Sequence, residues 1–245
     1  MGHIYKDSFF NYIDISSSRS AKKFIEMIIL PLNMQTILDI GCGRGAWIAE
    51  WEKSGRSVFG VDGEYIDLKN LLVSTENFKY QDISQNFDLN KKYDLVQCLE
   101  VAEHLAEKDS DTLVNNIVKH GDIVLFSAAV PGQGGEFHVN EQPLSYWVEK
   151  FKHHGYVCFD YIRPQISNEK SIEPWYRYNS LLFVKSEKAN DLPEEIKLTQ
   201  VTDTYNYNKF VSQSWIIRNG ILKVLPAGII NIIAKLKHYT IALSK

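Results

Sequence analysis

The stretch Thr36-Ile-Leu-Asp-Ile-Gly-Cys-Gly-Arg-Gly-Ala-Trp47 decides how the rest of the chain is read. Ile37 to Ile40, apolar apart from Asp39, has the character of a buried strand. Gly41, Gly43 and Gly45 follow at alternate positions, and a helical pattern begins at Ala46. Glycines there let the backbone take up positive φ and approach a ligand closely, while the helix N-terminus aims free amides at it. Such a turn is a site for a nucleotide-type cofactor.

Two cofactor families share this geometry. Gly41-x-Gly43-x-x-Ala46 satisfies the dinucleotide fingerprint, which would imply an NAD(P)-dependent oxidoreductase. Read as Asp39-x-Gly-x-Gly-x-Gly45, the same residues resemble motif I of the class I S-adenosylmethionine (SAM) methyltransferases. Asp39 favours the second reading, because an acid at the strand end repels a pyrophosphate and attracts the amino group of SAM. A dinucleotide-binding strand also usually comes near the chain start, whereas about one helix precedes this one. Leu99-Glu-Val-Ala-Glu-His-Leu105 resembles the signature that follows the fourth strand in many of these methyltransferases.

At 245 residues the chain suits one domain plus an appendage, and its net charge of -3 argues against a general nucleic-acid binder. Cys42, Cys98 and Cys158 are scattered through strand-like runs without metal-ligand spacing, as reduced core residues of a cytoplasmic protein would be. The N-terminus lacks the apolar core of a signal peptide. No apolar run reaches the roughly 20 residues needed to span a bilayer.

Strand and helix signals alternate, the pattern of a parallel sheet covered on both faces. A helix is expected over 18–30, with Phe24, Met27 and Ile28 on its apolar face, then strand 36–40 and helix 45–54. Further strands are expected at 57–62, 78–82, 93–100 and 122–129, a helix at 143–154, and closing strands at 156–162 and 180–185. The polar segment between the last two strands carries no strong helix pattern, so they are expected to pair antiparallel. The methyltransferase resemblance covers roughly 18–186 and implies an α/β fold: a doubly wound, Rossmann-like sheet of seven strands, the first five parallel and the last pair antiparallel. Residues 1–186 would form this domain, 187–204 a polar linker and 205–245 a helical extension. From Tyr205 onward there are six Lys or Arg and no acid, so the remaining residues carry -9. Trp215, Ile216, Ile221, Leu222 and Leu225, then Ile229, Ile230, Ile233 and Leu236, suggest two amphipathic helices broken near Pro226. This tail has three readings: packing on the core or on a second subunit of a homodimer, peripheral contact with an anionic membrane, or closure over an anionic nucleotide-sugar.

Asp62 ends the second strand, where a carboxylate accepts both ribose hydroxyls, or else caps the turn at Gly63. Asp82 and Ile83 resemble the pair that contacts adenine in the family, with a capping role as the alternative for Asp82. Arg44 could pair with the SAM carboxylate or be a solvated loop charge. Glu100 ends the fourth strand at the mouth where ligands bind, and His104 is read as structural or cofactor-adjacent. The loop after the fifth strand is rich in glycine and in hydrogen-bonding groups, Gln133, His138, Asn140, Glu141 and Gln142, which suit a polyhydroxyl acceptor. Tyr146, Trp147, Trp175, Tyr176 and Tyr178 could stack on sugar or base faces. A hydroxyl acceptor needs a general base, and His138 is the candidate; loop bonding is the alternative role. A divalent metal held by His138 and Glu141 is a third option, but two ligands are too few to assign one.

No Asn-Pro-Pro-Tyr motif follows the fourth strand, which lowers the case for N-methylation. The runs LEVAEHL, FSAAVPGQGG, HVNEQP and WYRYN, with Asn179 closing the last, are similar to methyltransferases of bacterial capsule and surface-polysaccharide clusters, including nucleotide-linked heptose methyltransferases. The match departs from the common pattern at Pro143 and Tyr178. The resemblance implies a SAM-dependent O-methyltransferase acting on a nucleotide-activated sugar or related glycan precursor. The alternative is a lipid or quinone-type acceptor, which the Glu-His signature alone would allow.

Overall fold

A computed structural model describes residues 7–26, 32–226 and 229. The elements are α1 (Asp7–Phe24), β1 (Thr36–Ile40), α2 (Ala46–Lys53), β2 (Ser57–Asp62), β3 (Phe78–Tyr80), β4 (Leu95–Leu99), α3 (Ser110–His120) and β5 (Ile123–Ser127). They continue as α4 (Leu144–His153), β6 (Tyr156–Phe159), α5 (Arg163–Ile166), α6 (Pro174–Asn179), β7 (Leu181–Lys185), α7 (Glu194–Lys197) and α8 (Gln213–Lys223). The seven strands form one sheet in the order β3-β2-β1-β4-β5-β7-β6. Pairs among β1 to β5 are parallel, and β7 runs antiparallel to both β5 and β6.

Alternation along the strands divides the core into two layers. Ile37, Leu95, Leu125 and Leu182 enter one cluster with Phe24, Trp51 and Ile166. Leu38, Val96, Val124 and Phe183 enter the other with Trp147 and Phe151. Side chains of successive strand residues point to opposite faces, and helices cover both. The strand order reverses between β1 and β4, which opens a crevice at their carboxyl ends. Cys42, Cys98 and Cys158 are free and buried.

Several expected elements shift. The first helix starts at Asp7 rather than 18, and its expected end, with Met27 and Ile28, lies outside the described residues. Helix α3, which the sequence pattern did not mark, turns Ser110, Leu113, Val114, Ile117 and His120 inward at helical spacing. Its stripe mixes polar and apolar residues, which blunts the signal. Two short helices, α5 and α6, occupy the segment between β6 and β7 that was expected to be loop. Residues 187–204 are not a loose linker either. Leu192 and Ile196 join the core, and Asp160 and Val201 amides donate to Thr199 and Cys158 carbonyls, both at 2.9 Å. The edge strand β6 gains partners for its backbone this way. Of the two expected tail helices, α8 is the first; the second lies outside the described residues apart from Ile229. Trp215 and Ile216, on the expected apolar face, are half-buried, and Ile230 falls among the residues not described. Among the described residues, no helix is long and apolar enough to cross a membrane.

The far edge is fastened by one buried ion pair. Arg163 Nε donates to Asp160 Oδ1 at 2.8 Å, and Arg163 Nη1 donates to the carbonyls of Tyr178 (3.0 Å) and Tyr207 (2.8 Å). Tyr205 donates its hydroxyl to Asp160. Arg163→Met leaves Asp160 buried without its counter-charge, and a loss of about 3–5 kcal/mol is expected in urea unfolding. A loss below about 1 kcal/mol would show that this pair does not anchor the edge.

Candidate active site

The glycine turn forms as its residues require. Gly41, Gly43 and Gly45 have φ of 83°, 57° and 87°, all in the left-handed region. A Cβ on Gly41 would stand 2.6 Å from the Val101 side chain, so neither the angle nor the space admits another residue. Asp62 closes the turn from the next strand: it accepts from Gly43 N at 2.6 Å and Gly63 N at 2.7 Å, and from the Tyr65 hydroxyl. It therefore lines the site and caps the turn at once.

These residues line a cavity of about 1060 Å³ at the sheet's carboxyl edge. Asp39, Gly41, Gly43, Arg44, Asp62, Gly63, Asp82, Ile83, Glu100 and His104 all reach it, whereas Gly45 does not line it, and a Cβ there would meet Val73 and Ile48. Arg44 is not a solvated loop charge. It is buried, with Nη1 3.7 Å from Asp14 Oδ2 on α1. Burial raises the Asp14 carboxyl to about 6, with Arg44 opposing the shift. Asp82 accepts from Ser84 N (3.0 Å) and Ser84 Oγ (2.7 Å), which is the capping alternative. Burial pushes Asp39 up to about 7, and the Asp62 charge acts in the same direction. Asp62 is raised too, by burial.

The other side of the cavity is organised around carboxylates. Glu100 is held at φ 56°, in the left-handed region that a side chain rarely adopts, and such strain gathers at functional sites. It accepts from Gln133 Nε2 at 2.6 Å and Asn179 Nδ2 at 3.3 Å, and Asn179 Nδ2 also donates to Gln133 Oε1 at 2.8 Å. His138 Nδ1 lies 2.8 Å from Glu141 Oε1. Glu141 also accepts from Gly132 N (2.8 Å) and Gly134 N (2.7 Å). Burial alone would raise Glu141, but His138 and the two amides hold it below its ordinary value. With Nδ1 on Glu141, the other ring nitrogen, Nε2, faces Gly135, where an added Cβ would stand 2.1 Å from it.

Glu103 was not singled out in the sequence, although it stands beside His104 in the same motif. It is buried, its Oε1 lies 4.0 Å from His138 Nε2, and its Oε2 has no hydrogen-bond partner. Burial raises its carboxyl well above the ordinary range, and the charges of Glu100 and Glu141 add to the effect. His104 and His138 meet edge to face with centroids 4.9 Å apart. One ligand atom from each of Glu103, His104 and His138 lies within 4.8 Å of the others. The sequence paired His138 with Glu141 as metal ligands and assigned no metal. The structure instead puts Glu141 on Nδ1 and brings Glu103 within 4.0 Å of Nε2, with His104 completing the cluster.

Other expected acceptor residues separate into two groups. Trp175 and Tyr176 line the cavity. Asn140 is buried against Ser110 Oγ at 3.1 Å, and Gln142 Nε2 donates to Asn140 Oδ1 at 3.0 Å. Trp147 is fully buried in the core and so is not available for stacking, and Tyr146 packs edge to face against it. These four do not line the cavity. Residues the sequence did not mark as site residues do: Ile13, Asp14 and Ser17 from α1, and Trp215, Arg218 and Leu222 from α8.

Asp39 supports a direct check. Its folded pKa lies above the unfolded one, so the folded ligand-free chain binds the extra proton. Its contribution is therefore full below about pH 4 and falls as pH rises through about 7. Asp39→Asn is expected to make the ligand-free protein about 1–4 kcal/mol more stable at pH 8 and to leave it nearly unchanged at pH 4. Equal unfolding midpoints for the two proteins at both pH values would refute the assignment.

Comparison with known proteins agrees with this geometry. Residues 19–177 match the family described as a methyltransferase domain. Two curated relatives are both called ubiquinone biosynthesis O-methyltransferase. The one from Nitrosomonas europaea is 30% identical over 133 residues, 50% of this chain and 52% of the relative. The one from Albidiferax ferrireducens is 31% identical over 108 residues, 40% and 43% of the two chains. The chain thus spans about half the length of the curated relatives it matches. Among solved structures, magnesium protoporphyrin IX methyltransferase from Synechocystis, with bound SAH (the demethylated cofactor), superposes with TM-score 0.52 at 18% identity, covering 76% of this chain and 90% of that one. A SAM-dependent methyltransferase from Clostridium acetobutylicum gives 0.51 at 15% identity, covering 72% and 97%. The family match spans most of the chain, which therefore belongs to the methyltransferase domain family.

Proposed function

We propose that the protein transfers the methyl group of SAM to a hydroxyl on an aromatic ring, with His138 as general base. The observation that carries this reading is the His138–Glu141 contact at 2.8 Å. A carboxylate on Nδ1 fixes the tautomer in which Nε2 accepts a proton. In the cofactor half, Asp39 takes the amino group of SAM, Asp62 the ribose hydroxyls, Ile83 the adenine face and Arg44 the carboxylate. The sulfonium and ammonium of SAM offset the carboxylates around them. Methyl transfer is an in-line displacement, so orientation supplies much of the catalysis. The base removes the hydroxyl proton as the new O–C bond forms.

The chemistry of the acceptor follows from the walls of the cavity. Gln133 and Asn179 are engaged with Glu100, Glu141 with His138, and Asn140 with Ser110. The polar set that suggested a sugar is thus taken up by bonds within the protein. Leu105, Trp175, Trp215 and Leu222 line the walls and suit a flat apolar ring. The names of the two curated relatives favour a quinone-type ring over a sugar as well. A phenolic hydroxyl, with a pKa of about 10, is also within a histidine's reach. A sugar hydroxyl is far less acidic.

One observation favours a second way of activating that hydroxyl. The Glu103, His104 and His138 cluster, with Glu103 Oε2 unpartnered, offers three ligands to a divalent cation, which would acidify a bound hydroxyl. Turnover with SAM is to be measured on catechols, quinols and a panel of nucleotide sugars, with products identified by mass. Methylation of the aromatic acceptors is expected; methylation of nucleotide sugars alone would return the acceptor to the sugar class. His138→Asn is expected to lower kcat by roughly 10²–10⁴ while SAM affinity stays unchanged. Activity lost to a chelator and restored by Mg²⁺ or Mn²⁺ would replace the general base with the metal.

A further inference from the structure

Helix α8 lies beyond the residues that match the family, yet it completes the cavity wall. Trp215, Arg218 and Leu222 stand at helical spacing on one face and all line the cavity. The helix sits closely on the loop after β5: a Cβ on Gly132 would fall 2.1 Å from the Asn219 carbonyl oxygen. Gly132 also has φ +84°, so the seat is built for glycine.

Arg44 and Arg218 are the cations among the described residues lining the cavity. Arg44 belongs to the glycine turn and faces Asp14. Arg218 stands on the opposite wall, where its Nη1 donates to Gln133 O and to Asn219 Oδ1, both at 2.9 Å. Those two bonds use both hydrogens of Nη1. The Nε and Nη2 hydrogens carry no hydrogen bond among the described residues, and they form the planar edge that matches a carboxylate or phosphate with two parallel bonds. The charge of Glu141 acts on Arg218, but its oxygens are engaged by Gly132, Gly134 and His138. The guanidinium is held over the Trp215 ring, 4.5 Å from its centroid. Trp215 Nε1 is buried without a partner, a donor that awaits an acceptor.

We infer that Arg218 and Trp215 form a receptor for an anionic group, carboxylate or phosphate, carried by the acceptor beside the hydroxyl that is methylated. This rests on the reading that the acceptor occupies the cavity beside His138. A charge-assisted fork at one end of the molecule and the general base at the other would fix which hydroxyl meets the methyl group. Recognition thus comes from a helix outside the catalytic fold, attached to it through the Gln133 carbonyl.

The test is calorimetric titration of the full chain loaded with SAH. The probes are 3,4-dihydroxybenzoate, catechol and uridine diphosphate, against wild type, Arg218→Gln, Arg218→Lys and the exposed control Lys223→Gln. At least one anionic probe is expected to bind tenfold or more tightly than catechol. Arg218→Gln is expected to remove that preference, and Arg218→Lys to keep part of it, because an ammonium supplies charge without the fork. Catechol affinity and SAH affinity should stay within twofold, and Lys223→Gln should match wild type. Which of the two anions is preferred distinguishes a carboxylate from a phosphate source. If Arg218→Gln does not fold, weakened anion binding with unchanged catechol binding in Arg218→Lys supports the receptor equally. No preference for either anion in wild type, or equal loss for catechol and anion in the variants, would mean that Arg218 only seats α8. An Arg218-dependent anion preference in a protein that methylates no aromatic acceptor would retain the receptor and reject the aryl reading. Methylation of neutral catechols without any anion preference would do the reverse.

Discussion

The carboxylate of Glu100 ties together three segments that otherwise have no reason to meet. It ends β4 in a left-handed backbone conformation, accepts from Gln133 in the loop after β5, and accepts from Asn179 at the end of α6. Gln133 then offers its carbonyl to Arg218, so α8 is attached through the same hub. Burial raises the Glu100 carboxyl above its ordinary value, and leaving such a buried group unpaired is costly. The cavity wall opposite the glycine turn therefore stands or falls with this one side chain.

The same wall concentrates negative charge to an unusual degree. Glu100, Glu103 and Glu141 lie close enough that the first and last raise the proton affinity of the second. Across the cavity burial lifts both Asp39 and Asp62, and the Asp62 charge raises Asp39 further. A buried group of acids of this kind is stable as protonated carboxyls or with a cation among them. In the proposed reaction, SAM brings two positive groups to the Asp39 side.

Much of the cofactor half was legible in the sequence. The strand, glycine turn and helix from Thr36 to Lys53 formed where expected, and Asp62 ended the next strand as expected. These are local features: positive φ at Gly41, Gly43 and Gly45 is a property of a few adjacent residues. The acceptor half was read less well. Gln133, Asn140, Glu141 and Gln142 looked like free polar groups, and each found a partner inside the protein. Trp147 looked like a stacking platform and is core. Glu103 was passed over because an acid beside a histidine in a short motif does not reveal that it is buried with an oxygen unpaired.

The sequence by itself determined the sheet and the glycine turn, because each is written in residue types at short, fixed spacing. Only the tertiary structure decided which polar side chains remain available for chemistry. Glu100 meets a partner 33 residues away and another 79 away, and Arg218 reaches across 85 residues to its anchor. A hydrogen-bonding group that is saturated by such a partner positions the site, and one that is not can bind a ligand. That difference is fixed by contacts the chain makes only when folded.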